Sequence, residues 1–305
     1  MEDHQVDALV DAITDRVREE LGLASGSTAG TSALRGLPET RPDGRRVHHS
    51  GCMTCQLPAE GCASCGLNPM VANPAFEPVE HKPSATAMAR FIDHTLLHPQ
   101  TTRADLERVC REARQHSFFS VCVNAGNARL VSMLLSGSAV KTCAVVGFPL
   151  GAGTPGAKAF EAREAVRCGA DEIDMVINIG ALKSRDFALV TDDISRVVKA
   201  VPGKIVKVIL ETGMLTEREK IIACSLSKVA GAHFVKTSTG FGPGGATAED
   251  VALMRDVVGP EIGVKASGGV RSLEDAHRML ESGANRIGAS SSVAIVTGQK
   301  GTSGY

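Results

Sequence analysis

"FIDHTLLHPQTTRADLERVCREARQHSFFSVCVN" spans residues 91–124 and reads as one strand–helix–strand unit. A short apolar run (91–97) leads into the helical pattern "TRADLERVCREARQH" and then a second apolar run, "SVCVN" (120–124). Outward from this unit the alternation repeats. Further candidate strands are "KTCAVVGFP" (141–149), "EIDMVIN" (172–178), "KIVKVILET" (204–212), "HFVKTS" (233–238), "GVKASGG" (263–269) and "RIGASSS" (286–292), with helical segments such as "SLEDAHRMLESG" between them. Eight strands alternating with helices predict an α/β fold, a (β/α)8 TIM barrel. A doubly wound open sheet is the competing arrangement. It would carry a glycine-rich fingerprint after its first strand, and "FIDHTLLHPQTT" contains no glycine.

Two regions precede the barrel, which is expected over residues 85–298. In residues 1–22, Val6, Leu9, Val10, Ile13, Val17 and Leu21 recur at helical spacing, with Asp7, Asp11, Asp15, Arg16, Arg18 and Glu19 on the other face. That is an amphipathic helix, too short to be stable in water unless its apolar stripe docks on something. Residues 23–84 are rich in Gly, Ser, Thr and Pro and read as a flexible linker. The linker carries "CMTCQLPAEGCASCG", two CxxC pairs formed by Cys52, Cys55, Cys62 and Cys65. Four thiolates so placed suit a tetrahedral zinc or an Fe–S cluster in a structural or regulatory role. His48 and His49 could substitute as ligands; two local disulfides or free thiols are the alternatives. Residues 299–305 form a flexible C-terminal tail.

Composition narrows the function classes. The chain of 305 residues is 43% hydrophobic and 22% charged, with a formal net charge of -1. No global field favours nucleic acid or an anionic membrane. Only 3% of residues are aromatic, with no Trp and one Tyr, so a base-stacking surface is not expected. No apolar run has the length of a membrane span, and the N-terminus lacks a signal-peptide pattern. A cytoplasmic location is the default expectation.

In a barrel the chemistry collects at the C-terminal ends of the strands. Asp174 lies inside the apolar run of strand four, a candidate acid/base with a tuned pKa or a carboxylate satisfied by a neighbour. Asp171 and Glu172 precede that strand and are expected to be solvated. Lys236 and Lys265 occupy adjacent strands six and seven. Like charge and desolvation both depress an amine's pKa, and attack on a carbonyl needs the unprotonated amine. Either lysine alone could equally serve a salt bridge or a phosphate. The pair, with Asp174, favours Schiff-base chemistry. Three later loops, "STGFGPGG", "ASGGV" and "GASSS", read together as a phosphate site, helped by the helix that "RSLED" opens.

The segments "FIDHTLL", "VCVN", "VVGFPLG", "GADEIDMVIN", "KVILETGML", "FVKTSTGF", "VKASGGVRS" and "RIGASS" resemble, in order, the 2-deoxyribose-5-phosphate aldolase family of class I aldolases. The resemblance implies reversible cleavage of 2-deoxy-D-ribose 5-phosphate to acetaldehyde and D-glyceraldehyde 3-phosphate. It implies that Lys236 forms the Schiff base, that Lys265 lowers its pKa and relays protons, and that Asp174 donates and accepts protons. Asp93 would lie near the site, and Tyr305 would reach it from the tail. Gly240, Gly268, Gly269, Ser290 and Ser291 would hold the phosphate. Phe241 stands where some members have a lysine, so that contact would be missing. No cofactor is implied for catalysis, because the iminium is the electron sink, and a homo-oligomer is implied. The N-terminal helix and linker resemble an encapsulation peptide, which implies docking on shell or core proteins and a place in the lumen of a bacterial microcompartment. The alternatives are a related class I aldolase for another phosphorylated aldehyde, and a core-assembly scaffold of weak activity.

Overall fold

The structure is a computed structural model that describes residues 82–301. The N-terminal helix expected over residues 1–22, the four-cysteine cluster and Tyr305 lie outside the described residues.

Eight parallel strands close into a barrel in sequence order, β1 next to β8. They are β1 (Ile92–Leu96), β2 (Ser120–Asn124), β3 (Lys141–Val146), β4 (Glu172–Val176), β5 (Ile205–Ile209), β6 (Phe234–Lys236), β7 (Gly263–Ser267) and β8 (Arg286–Ala289). Each lies within a run identified in the sequence, and most stop short of that run's C-terminal end. The apolar or small residues continue toward the barrel mouth, some still bonded to the neighbouring strand, as the Ile177 N–H is to the Ile209 carbonyl (3.0 Å) and the Leu210 N–H to the Lys236 carbonyl (2.9 Å). A short helix, α1 (Ala85–Met88), leads into β1. The remaining helices are α2 (Arg103–His116), α3 (Ala128–Leu135), α4 (Pro155–Arg167), α5 (Ile179–Lys183), α6 (Phe187–Ala200), α7 (Glu217–Val229), α8 (Ala248–Val258), α9 (Leu273–Glu281) and α10 (Ser292–Val296).

Hydroxyl caps decide where the outer helices begin. Thr102 caps α2, Thr216 caps α7 and Ser272 caps α9, each in a reciprocal capping box with the acid three residues on. Thr154 caps α4 ahead of Pro155, whose missing N–H costs nothing at the first helical position.

Strand alternation then separates two interiors. On β4, Ile173 and Met175 join the apolar layer between sheet and helices, while Glu172 and Asp174 enter the barrel. Burying each such apolar side chain contributes roughly 1.5–3 kcal/mol. At the base of the barrel Arg286 lies over the Phe119 ring, 3.3 Å from its centroid, and within 5.5 Å of Phe234.

One buried ion pair ties the helical layer to the mouth. Lys158 of α4 meets Asp193 of α6 at 2.5 Å and donates to the Val176 carbonyl at the end of β4 (2.9 Å). Burial pulls Lys158 down and pushes Asp193 up, outweighing their mutual attraction. Replacing Lys158 by Met strands Asp193 and is expected to destabilise the fold by about 3 kcal/mol or more. A Lys158→Met/Asp193→Leu double variant should recover most of that loss in urea denaturation. Single and double variants of equal stability would count against the assignment.

Candidate active site

The centre of the barrel holds charge instead of aliphatic layers. Asp174 is fully buried and is shared by three lysines. Its Oδ1 accepts from Lys207 Nζ at 2.8 Å, and its Oδ2 accepts from Lys236 Nζ at 2.9 Å and Lys265 Nζ at 2.7 Å. The contacts continue into a closed ring. Lys265 reaches Asp93 (2.5 Å), Asp93 pairs with Arg286 (2.9 Å), and Arg286 reaches Glu172 (3.2 Å). Glu172 meets Lys207 at 2.6 Å, which returns the path to Asp174. Ser120 Oγ donates to Asp93 at 2.7 Å. Lys207 and Lys265 each contact two carboxylates; Lys236 hangs from the ring by one. The lysine pair follows from the sheet, because Lys236 and Lys265 are register partners on β6 and β7. Gly288 of β8 makes room beside them: a Cβ there would lie 2.2 Å from Ser267 Oγ and 3.1 Å from Lys265 Cε.

Burial alone would push Asp174 up, but attraction to Lys207, Lys236 and Lys265 holds it well below the ordinary carboxylate range. Asp93 follows the same pattern, with burial outweighed by Lys265 and Arg286. Burial would pull Lys265 down, yet Asp174 and Asp93 hold it well above the usual lysine value. For Lys265 this differs from the like-charge expectation, because two carboxylates contact its ammonium group. Lys265 is a firmly held cation.

Three members of the ring escape the sequence reading. Glu172 was expected in solvent and is instead buried, because β4 starts at Glu172 itself and alternation points it inward with Asp174. Lys207 and Arg286 were not singled out. Lys207 carries the signal that marked Asp174, an isolated charge in the apolar run "IVKVI".

The opposite wall is apolar, formed by Leu97, Cys122, Cys143 and Val145 with Phe148 against them. Cys143 Sγ donates to Asp174 Oδ1 at 3.2 Å, and burial pushes this thiol well up. Among the described residues the ligand atoms of Cys122, Cys143 and Asp174 lie within 4.8 Å of one another, close enough to share an ion. Both Asp174 oxygens are already taken by ammonium groups, whose charge opposes a cation there.

Above the ring the loops after β6, β7 and β8 converge. Gly240, Gly268 and Gly269 all have positive φ, at 86°, 87° and 80°. The Ala246 N–H donates to the Gly268 carbonyl (2.9 Å), which joins the first two loops. Ser290 and Ser291 follow β8 directly, and a Cβ on Gly301 would lie 2.3 Å from Ser291 Oγ, so Gly301 packs closely against this loop. At the helix opened by "RSLED", part of the N-terminal donor set is taken up within the turn. Asp275 accepts the Arg271 and Ser272 N–H groups (3.2 and 3.1 Å), and Ser272 Oγ takes the Asp275 N–H. Phe241, half-exposed, meets Phe148 edge-on at 5.3 Å and lies 6.5 Å from the His98 ring, forming an aromatic rim.

Comparison with known proteins shows what the chain is similar to. Residues 87–301 match the DeoC/LacD family aldolase. The chain is 57% identical over 219 residues to the deoxyribose-phosphate aldolase of Clostridium perfringens, covering 72% of this chain and 98% of that protein. It is 58% identical over 216 residues to that of Streptococcus gordonii, covering 71% and 98%. Among solved structures, a deoxyribose-phosphate aldolase from Coccidioides immitis superposes with a TM-score of 0.70 at 40% identity, over 74% of this chain and 90% of that one. A tetrameric deoxyribose phosphate aldolase from Aeropyrum pernix gives 0.65 at 35% identity, over 70% and 91%.

The ring predicts a response to acid. Carboxyls whose folded pKa is depressed stabilise the fold above their unfolded value of about 4, and the contribution is lost as the pH falls through the folded values. Unfolding free energy from urea titrations should therefore drop below about pH 4. Asp93→Asn should cost about 3 kcal/mol at neutral pH, since it takes one of two carboxylate partners from each of Lys265 and Arg286, and should flatten the acid slope. An unchanged slope would show that Asp93 is not depressed.

Proposed function

The chain belongs to the DeoC/LacD family of aldolases and is a class I aldolase, a carbon–carbon lyase, and on this basis we propose that it reversibly cleaves 2-deoxy-D-ribose 5-phosphate to acetaldehyde and D-glyceraldehyde 3-phosphate. The observation that carries the reading is the single tether of Lys236. Lys207 and Lys265 are each pinned between two carboxylates, whereas Lys236 contacts only Asp174. Four cations face three carboxylates around the ring, so the cluster can release one proton and remain balanced. Release from the least tethered amine supplies the nucleophile.

The neutral Lys236 amine adds to the C1 aldehyde, and loss of water gives the iminium. The iminium withdraws electrons as the C2–C3 bond breaks and the C3 hydroxyl loses its proton. D-glyceraldehyde 3-phosphate departs and an enamine remains on Lys236. Protonation at C2 and hydrolysis release acetaldehyde and restore the amine. Asp174, within 2.9 Å of Lys236 Nζ, is placed to receive and return protons during carbinolamine and enamine steps. Lys265 keeps its positive charge 2.7 Å from the same carboxylate oxygen. It acts as a fixed cation beside the reacting amine. Gly240, Gly268, Gly269, Ser290 and Ser291 hold the phosphate, which places C1 over Lys236. Tyr305 is four residues beyond Gly301. Its part in the C2 proton transfer is proposed from the sequence alone. The active form is a homo-oligomer, as in the tetrameric relative.

The N-terminal extension adds a second level, supported by its sequence alone. Residues 1–22 direct the enzyme into a microcompartment through shell or core proteins, and Cys52, Cys55, Cys62 and Cys65 bind a structural zinc or Fe–S cluster. A reporter fused to residues 1–22 and found diffuse in cells with shells would refute the first. Absence of metal from the purified protein would refute the second.

Borohydride reduction in the presence of 2-deoxyribose 5-phosphate should fix a two-carbon or five-carbon adduct on the peptide containing Lys236, read by mass spectrometry. Lys236→Ala should abolish the adduct. Asp174→Asn should lower kcat by about 10²–10⁴-fold. Labelling of another lysine would overturn the assignment.

A further inference from the structure

Glu211 has no part in the chemistry above, yet it is held at a conformational cost. It follows β5, lies in the left-handed region at φ 58°, and is 2% exposed. A bulky residue stays there only where its surroundings over-determine it. What holds it is the loop after β6. Glu211 Oε2 accepts the Thr239 N–H at 3.2 Å and also the Thr239 hydroxyl. The same hydroxyl oxygen accepts the Phe241 N–H (3.0 Å) and the Gly242 N–H (3.3 Å). The contact is close enough to exclude a side chain at 242, where a Cβ would lie 2.7 Å from the Glu211 carboxyl carbon.

Of the four N–H groups from Thr239 to Gly242, three are therefore turned onto one carboxylate–hydroxyl relay. The Gly240 N–H is the one outside it. The same loop carries Gly245, whose Cβ position lies 2.6 Å from the Gly268 carbonyl oxygen, so its setting is passed to the β7 glycines. The Glu211 side chain makes its hydrogen bonds to this loop and none to Lys236, Asp174 or Lys265.

We infer that Glu211 is a positioning residue that sets the anion-binding loop, and so fixes preference for a phosphorylated substrate without acting on the reacting carbons. The inference rests on the proposed reading of the site. A carboxylate touching the phosphate would repel it. Acting through Thr239, it takes up the donors that would otherwise compete and leaves the Gly240 N–H for the ligand.

Two measurements on wild type, Glu211→Ala, Glu211→Gln and Thr239→Val test this. The first is inorganic phosphate binding, followed by NMR titration of the folded full chain. The second is the ratio of kcat/KM for 2-deoxyribose 5-phosphate to that for unphosphorylated 2-deoxyribose. Glu211→Ala and Thr239→Val should each weaken phosphate binding and lower the ratio by about tenfold, whereas Glu211→Gln, whose amide oxygen still accepts, should stay within about threefold of wild type. Thr239→Val leaves the strained residue in place and decides the matter if Glu211→Ala does not fold. Unchanged phosphate affinity in these variants, or equal losses on both sugars, would overturn the inference. The phosphate titration reads Glu211 whatever sugar the enzyme cleaves, so failure of the proposed reaction and failure of this role are separable.

Discussion

One carboxylate shared by three lysines organises this barrel. Asp174 can be buried in its charged form only because Lys207, Lys236 and Lys265 converge on its two oxygens. Those lysines are tolerable in turn only because Asp93 and Glu172 complete the ring with Arg286. Removing any partner leaves an uncompensated charge in a low-dielectric interior, which is more costly than removing the whole pair. Four strands, β4 to β7, are thereby held together through one carboxylate. Among the three lysines, Lys236 has the fewest carboxylate contacts.

The mouth is built on a different rule. Its loops satisfy their own donors wherever they can. The first turn of α9 is closed by Ser272 and Asp275, and the β6 loop is closed by Glu211 and Thr239. The glycines at 240, 268 and 269 stay outside these closures and keep backbone geometry that only glycine adopts cheaply. Glu211 meets the β6 loop through both the Thr239 N–H and the Thr239 hydroxyl. The rim above it is apolar, where Phe148 and Phe241 meet edge-on.

The fold was legible because β/α alternation is written locally, in apolar runs and the caps between them. Asp174, Lys236 and Lys265 were legible for a related reason, as isolated charges in strands whose neighbours are all apolar. Lys207 carried the same signal without a motif to draw attention to it. Glu172 was read as solvated although the run "EIDMVIN" begins at it, because a charge at a strand's first position gives no local sign of which interior it enters. Arg286, at the first position of β8, was hidden in the same way. Glu211 could not have been chosen, because neither a left-handed backbone nor a hydrogen bond to Thr239 leaves a mark in the residue order.

The sequence by itself determined the eight-strand barrel, the isolated charges at Asp174, Lys236 and Lys265, and the glycines that follow strands six and seven. These follow from periodicity and local spacing. Only the tertiary structure decided which charges meet. Asp93 and Arg286, 193 positions apart, become ion-pair partners because β1 closes the barrel against β8. The state of each buried group then depends on neighbours from other strands. In a low-dielectric interior the contact distance sets the balance of desolvation and attraction, and barrel closure alone supplies that distance.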